Sequence, residues 1–180
     1  MDRATRLVCL HDLVHRAIPK KFGKKLRIIR QSSAPLTTPR QPSKHWFEVC
    51  VAGHLREEKD SLRTAYAARL APPESNLRVV HLGKAHEDIW ARNARAEMAE
   101  NHRFVWRGEV PGWKVRRQFA RSHAMVISSI MEGGANIVSE AIVCGVPVIA
   151  SNIDGNIGLL GADYEGYYAA KDEGALASLL

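Results

Sequence analysis

The sequence predicts an α/β protein with an open, doubly wound sheet of mostly parallel strands. Two observations support this prediction. Between about residues 46 and 180, short apolar runs alternate with segments of helical composition. The apolar runs also lack the polar–apolar alternation of a half-exposed strand, so we expect both faces to be buried, as in a parallel sheet. Ligands of such sheets bind beyond the carboxyl ends of the strands.

Turn and capping residues set the limits of each element. Asp60 or Ser61 is the predicted N-cap of the first helix, Pro111 begins the third, and Gly145 ends the fourth. Glycines that follow the strands, such as Gly53 and Gly83, mark turns at the ligand-binding edge. The predicted strands are 47–52, 77–82, 104–106, 124–128, 146–150 and 166–169. The predicted helices are 61–70, 87–100, 111–122, 136–144 and 173–180.

Residues 1–45 have a different character. They predict a strand at 5–10, a helical stretch at 11–18, a strand at 25–31 and a Pro/Ser/Thr-rich linker at 32–43. Two strands and one short helix cannot bury a core of their own. We therefore expect residues 1–45 to be the end of an N-terminal domain plus a linker, and residues 46–180 to be a ligand-binding domain whose last helix is incomplete.

The net charge of +7 belongs to the leading segment. Residues 1–45 contain eleven Lys or Arg and two Asp or Glu, whereas residues 46–180 contain fifteen and seventeen. A basic segment can bind nucleic acid, or it can be a solvated surface of a neighbouring domain. We favour the surface and expect no nucleic-acid partner, because the basic residues do not form a recognisable nucleic-acid-binding motif.

The cysteines and the apolar runs indicate the cellular compartment of the protein. No apolar run approaches the roughly 20 residues of a membrane helix, and no signal peptide is visible. Cys9, Cys50 and Cys144 lie far apart without metal-ligand spacing, which predicts buried thiols in a reducing compartment. We therefore expect a cytoplasmic protein without a metal site.

The strongest functional signal is the stretch from Glu132 to Ala141. Two glutamates, Glu132 and Glu140, lie on either side of a Gly-Gly turn that opens a helix. Backbone N–H groups at a helix N-terminus suit a phosphate, and ionised carboxylates accept hydrogen bonds from hydroxyl groups. Phosphate plus hydroxyls describes a nucleotide sugar. Structural alternatives are a helix-capping acid at Glu132 and a solvated helix residue at Glu140.

A second signal is the loop from Gly53 to Asp60, which follows the first strand of the domain. Lys59, with Arg56 or His54, could meet a diphosphate, although the loop could also be only a charged surface with capping acids. Ser128, at the end of another strand, is expected near the same ligand. No nucleophile elbow surrounds it, which argues against hydrolase chemistry.

With these residues in place, the stretch from about Phe47 to Leu180 resembles the donor-binding domain of retaining glycosyltransferases of family 4, the C-terminal Rossmann-like half of the GT-B fold. Glu132–Ala141 matches that family's motif of two glutamates separated by seven residues, and 145–151 matches the strand that follows it. Residues 53–59 resemble its Gly-Arg-Leu…Glu-Lys loop, with Lys59 at the lysine and His54 where the family usually has arginine.

The resemblance implies a role for each site residue. Glu140 is expected to hold the ribose, Glu132 the donor sugar, and Lys59 the diphosphate, with His54 or Arg56 as a further cation. Lys59 and Glu132 are the expected catalytic residues, and electrostatic stabilisation of the leaving diphosphate by Lys59 and the helix N-terminus requires no metal. Other expected donor contacts are Gly108, Val110, Ser128, Gly133, Gly134, Ala135 and Asn136.

The sequence also resembles one subgroup of these glycosyltransferases. Residues 133–136, 155–161 and 163–167 look like bacterial glycosyltransferases that resemble the selenosugar synthases of selenoneine biosynthesis, which implies selenophosphate as a possible acceptor and a UDP-linked donor. Two alternatives stay open: a nucleotide-sugar 2-epimerase, and a non-catalytic nucleotide-binding module with a basic nucleic-acid-binding arm. Because the acceptor site of a GT-B enzyme lies on its N-terminal domain, we expect this chain alone to bind donor and transfer no sugar.

Overall fold

The computed structural model describes residues 1–180 and contains eight strands and six α-helices. The strands are β1 Leu7–Cys9, β2 Leu26–Ile28, β3 Phe47–Ala52, β4 Leu77–Leu82, β5 Phe104–Trp106, β6 Ala124–Ile127, β7 Val148–Ser151 and β8 Tyr167–Tyr168. The helices are α1 Arg63–Arg69, α2 Asp88–Glu100, α3 Gly112–Arg121, α4 Asn136–Val143, α5 Asp154–Leu160 and α6 Glu173–Leu179. No helix combines the length and apolar character that crossing a bilayer requires.

Six strands form one sheet in the order β5-β4-β3-β6-β7-β8, and every neighbouring pair is parallel. The predicted fold class is therefore confirmed. The chain builds β3, β4 and β5 in one direction and then returns to place β6 on the other side of β3. The sheet consequently has its topological switch point between β3 and β6, which is where open α/β sheets bind their ligands.

The sheet separates two hydrophobic clusters. Val49 and Val51 of β3 belong to one cluster, whereas Cys50, between them, belongs to the other. Successive side chains of a strand point to opposite faces, so both faces of β3 are buried, as its continuous apolar sequence predicted. All three cysteines are free and buried.

The leading segment packs against the carboxyl-end side of the domain. Strands β1 and β2 pair in parallel as a sheet of only two strands, and Val8, Ile28 and Ile29 remain exposed. The side chain of Leu10 lies against Gly134, and the buried ring of His11 lies against Gly158 of α5. One basic side chain has its hydrogen-bond partners within this segment, since the Lys25 ammonium donates to the carbonyls of Asp2 and Ala4.

The predicted linker, 32–43, has no regular secondary structure but is held against the domain. Arg40 donates to the carbonyls of Gly145 and Ser122, both at 2.5 Å. The Gln41 amide donates to the Ala120 carbonyl at 2.9 Å. The segment thereby joins the ends of α3 and α4.

The first helix begins later than predicted. Helix α1 starts at Arg63, and no side chain caps it. Asp60 adopts a left-handed conformation with φ of 43° and its carboxylate binds the Arg63 guanidinium. The Ser61 hydroxyl instead donates to the His54 carbonyl and accepts from the Arg56 amide. Local contacts within residues 54–63 therefore use both predicted capping side chains.

Candidate functional site

A cleft of about 450 Å³ opens at the switch point, beyond the carboxyl ends of β3 and β4. It receives residues from the connections after β3, β4 and β5, from α3 and from the start of α4. Its lining residues are Ala52, Gly53, His54, Arg56, Lys59, Leu82, Gly83, Lys84, Glu109, Val110, Val115, Ala135, Asn136 and Ile137. Six of the predicted site residues lie among them: His54, Arg56, Lys59, Val110, Ala135 and Asn136.

The two strongest predicted residues meet across the switch point. The Lys59 ammonium forms an ion pair with Glu132, although 73 positions separate them in the sequence. Their side chains are only 20% and 10% exposed, respectively. The Ser129 hydroxyl donates to the same Glu132 oxygen at 2.6 Å. Glu132 therefore fixes the ammonium that faces the cleft, and two loops from different strands become one site.

Ser128 holds the backbone around Lys59 through its hydroxyl group. This residue is 2% exposed, and its hydroxyl lies 3.0 Å from the carbonyls of both Lys59 and Asp60. Ser128 does not line the cleft, so the structure gives it a positioning contact with the Lys59 loop.

Helix α4 brings Glu140 next to the cleft. No side chain caps the N-terminus of α4, so its first backbone N–H groups lack the partner that a Ser or Asp cap would supply. Asn136, the first residue of α4, donates from its side chain to the Glu140 carboxylate at 2.5 Å. Glu140 is thus one turn into the helix and is held towards Asn136, which itself lines the cleft.

The glycines of the predicted phosphate turn have two different environments. Gly133 is exposed and meets nothing where a Cβ would stand. Gly134 has φ of +113°, and a Cβ there would stand 2.7 Å from the Cβ of Leu10. Gly134 therefore allows the leading segment to approach, and neither glycine lines the cleft.

Gly83, at the start of the loop after β4, contacts both the loop after β3 and the loop after β5. Its φ is +154°, and a Cβ there would stand only 1.8 Å from the carbonyl oxygen of Gly53. Its amide donates to the carbonyl of Gly108 at 2.8 Å. Gly108 therefore contributes its backbone to the junction of the loops after β4 and β5, while Val110, two residues on, lines the cleft.

A buried histidine supports the Gly53 turn. His81 of β4 is 1% exposed, and its Nε2 lies 3.0 Å from the Gly53 carbonyl oxygen. Burial lowers the pKa of His81 to about 4, with the hydrogen bond to Gly53 acting in the opposite direction. The ring is accordingly neutral near pH 7 and donates one hydrogen bond to the backbone beside the cleft.

Sequence reasoning missed two charged residues of the cleft, Lys84 and Glu109. Each follows a glycine after a sheet strand, which is the same signal that singled out Gly53 and Gly83, so the strand-end rule could have found them. With Arg56 and Lys59, Lys84 makes the cleft mainly cationic, and Glu109 contributes the only carboxylate among the lining residues. An anionic ligand with hydroxyl groups nearby suits this arrangement.

No group of three or more His, Cys, Asp or Glu side chains is arranged to hold a metal ion. The cationic groups that line the cleft are the guanidinium of Arg56 and the ammonium groups of Lys59 and Lys84, and the uncapped start of α4 lines it as well.

Solved structures share this fold. HepE of Anabaena, crystallised with UDP and glucose, superposes with a TM-score of 0.81 at 17% identity, covering 98% of this chain and 52% of that one. The apo lipopolysaccharide outer core galactosyltransferase WaaB gives 0.71 at 17% identity, covering 98% and 53%. A glycosyltransferase of Rickettsia africae gives 0.75 at 13% identity, covering 97% and 52%. The chain spans about half the length of these proteins.

Sequence comparison gives the family. No curated protein sequence matches the chain significantly. The profile of the family described as glycosyl transferases group 1 matches residues 40–179, which include the whole six-stranded sheet and every residue that lines the cleft. The chain therefore belongs to the glycosyl transferases group 1 family.

Proposed function

We propose that this chain binds the donor of a glycosyltransferase reaction, a nucleotide-diphosphate sugar. The observation that carries the proposal is the Lys59–Glu132 ion pair at the switch point. In this proposal the Lys59 ammonium binds the diphosphate and the adjacent Glu132 carboxylate binds sugar hydroxyls, at a cleft lined by Arg56, Lys59 and Lys84. Glu140, beyond Asn136, is the proposed ribose ligand, and Gly133 and Gly134 with Ala135 form the turn near the sugar.

A UDP-linked hexose is the proposed donor, and the reaction proceeds with retention as in family 4. HepE, whose fold this chain shares, was crystallised with UDP and glucose. Selenophosphate is the candidate acceptor, on the resemblance of residues 133–136, 155–161 and 163–167 to the selenosugar synthase subgroup. Free, buried thiols at all three cysteines suit a reducing compartment such as the cytoplasm.

We further propose that an N-terminal acceptor domain completes the enzyme. A parallel pair of strands is normally covered on both faces, whereas β1–β2 exposes Val8, Ile28 and Ile29. Such a pair fits the edge of a larger sheet. The chain by itself is then expected to bind donor without transferring sugar, and sugar transfer by the 180-residue chain would contradict this.

A thermal-shift panel of nucleotide sugars and nucleoside diphosphates tests the donor. A ligand at a hundredfold its Kd should raise the free energy of unfolding by about 2.7 kcal/mol and the Tm by about 5–10 °C. Glu140→Ala should abolish the shift with UDP, whereas Glu74→Ala, which removes an exposed carboxylate far from the cleft, should keep it.

No shift with any nucleotide would refute the proposal. A second assay separates transferase from epimerase: incubation of the donor without acceptor should leave its sugar configuration unchanged, and an epimerised product would favour the 2-epimerase.

A further inference from the structure

A second concave site lies beside the proposed donor cleft and is strongly basic. It has a volume of about 390 Å³ and shares Leu82 and Val110 with the donor cleft. Four cationic side chains line it, and no acidic residue does. The four are Arg107, Lys114, Arg117 and Arg121. We call this site the basic cleft.

The geometry of α3 concentrates this charge. Lys114, Arg117 and Arg121 are spaced by three and four residues, so they share one face of the helix. Arg107, from the connection after β5, lies opposite them. Although residues 46–180 as a whole have slightly more acidic than basic residues, the fold gathers four cations at one place.

The charge is almost entirely uncompensated. No carboxylate pairs with Arg107, Lys114 or Arg117. Arg121 alone has an acidic neighbour, Glu48, at 3.8 Å. That carboxylate is 3% exposed and already accepts a hydrogen bond of 2.6 Å from Gln118. Like charges held together in a concavity raise the local concentration of anions.

Arg116 shows the contrast on the same helix. Its guanidinium donates to the Pro35 carbonyl and it does not line the basic cleft. Arg116 thus serves to hold the 32–43 segment, whereas its neighbours Lys114, Arg117 and Arg121 have no such structural contact with backbone groups.

We propose that the basic cleft binds a phosphate group of a small molecule, separate from the diphosphate of the donor. Guanidinium groups donate paired hydrogen bonds that match phosphate oxygens, and three of the four cations are arginines. The concave shape favours a compact ligand over an extended surface. Trp113, which is 60% exposed, lines the same site and offers a ring to an organic part of that ligand.

Calorimetric titration with inorganic pyrophosphate tests the site. Pyrophosphate should bind the wild-type chain, and the affinity should fall as salt is raised. Arg117→Glu should weaken binding at the basic cleft by about tenfold or more, since it removes one charge-assisted contact and adds repulsion. Arg92→Glu, the same charge reversal on the exposed face of α2, should leave binding unchanged.

Lys59→Ala separates the two clefts. It removes the donor-cleft cation, so a pyrophosphate site that survives in Lys59→Ala and is weakened by Arg107→Ala belongs to the basic cleft. Pyrophosphate binding that is lost entirely in Lys59→Ala, or that is indifferent to both arginine variants, would overturn the proposal without touching the donor assignment.

A second arm identifies the source of the phosphate. Vesicles of phosphatidylcholine with phosphatidic acid should not bind the chain through this site. Vesicle binding that depends on Arg117, combined with pyrophosphate binding that does not, would overturn the small-molecule assignment in favour of a membrane surface.

Discussion

At the scale of single residues, the ion pair with Glu132 determines where the Lys59 ammonium lies. Lys59 lines the cleft and Glu132 does not, and the ion pair holds the ammonium in one orientation, which an unpaired lysine side chain would not keep. Spacing in the sequence indicated that both residues matter. It could not show that they touch, because their distance depends on β3 and β6 being neighbours.

Changing one member of the pair should divide diphosphate binding from sugar binding. Glu132→Gln keeps an oxygen for the Ser129 hydroxyl but releases Lys59 from its ion pair. The affinity for UDP should stay equal or rise, while the nucleotide sugar should lose whatever advantage it has over UDP. Titration calorimetry with both ligands measures this.

Lys59→Ala is the matched variant. It should weaken UDP and UDP-sugar alike by about tenfold to a hundredfold. If Glu132→Gln instead weakened UDP as strongly as Lys59→Ala does, Glu132 would act through the diphosphate, and its assignment to the sugar would be wrong.

His81 should make the stability of the chain depend on pH. Its pKa is about 4 in the folded protein and near 6.5 when unfolded. The unfolded state therefore binds the proton more tightly, and stability falls as pH drops from about 6.5 to 4, by up to about 3 kcal/mol. Urea unfolding at several pH values should show this loss, and His81→Gln should reduce it. An equal pH dependence in both proteins would contradict the prediction.

At the scale of elements, the strands were predictable and the helices were less so. The buried strands follow from continuous apolar runs, and β3, β4 and β5 lie where expected. Helix α5 was not predicted, since Gly155 and Gly158 lower the helix propensity of 154–160. Tertiary contacts stabilise it instead: the buried Asn156 amide donates to both oxygens of Ser151, and Gly155 leaves room for the backbone of Glu132.

The junction between the loops after β3 and β4 should depend on one glycine. In Gly83→Ala the new methyl group would clash with the Gly53 carbonyl oxygen, 1.8 Å away, and alanine would have to adopt a positive φ. The substitution should therefore lower the free energy of unfolding by about 2 kcal/mol or more. Gly53→Ala meets no atom within 4 Å and should cost less than about 1 kcal/mol. Chemical denaturation measures both, and similar costs would show that the loops do not need this close approach.

At the scale of the whole molecule, the domain should fold without its leading segment. Neither hydrophobic cluster includes a buried residue before Val49. A chain of residues 32–180 should keep one cooperative thermal transition, at a lower Tm because Leu10 and His11 are lost. Circular dichroism in the near ultraviolet follows it, and a chain without a cooperative transition would show that residues 1–31 are part of the folding unit.

The sequence indicated the fold class but not the basic cleft. The net charge of residues 46–180 hides Arg107, Lys114 and Arg117, because acidic residues elsewhere in the same range cancel them in the sum. Helical spacing within 112–121 would have aligned three of the cations, but it does not show that the connection after β5 turns so that Arg107 lines the same cleft, or that Leu82 of β4 lies there too. Sites built from several connections require strand order, which composition does not supply.

The contact of Leu10 with Gly134 connects the leading segment to the turn before α4. The Gly133–Gly134 turn opens α4 and also receives the leading segment. Thermodynamic reciprocity then applies: a ligand that binds more tightly when this contact is made must itself tighten the contact by the same factor. If the proposed donor contacts this turn, its binding and the docking of the leading segment on Gly134 are therefore coupled.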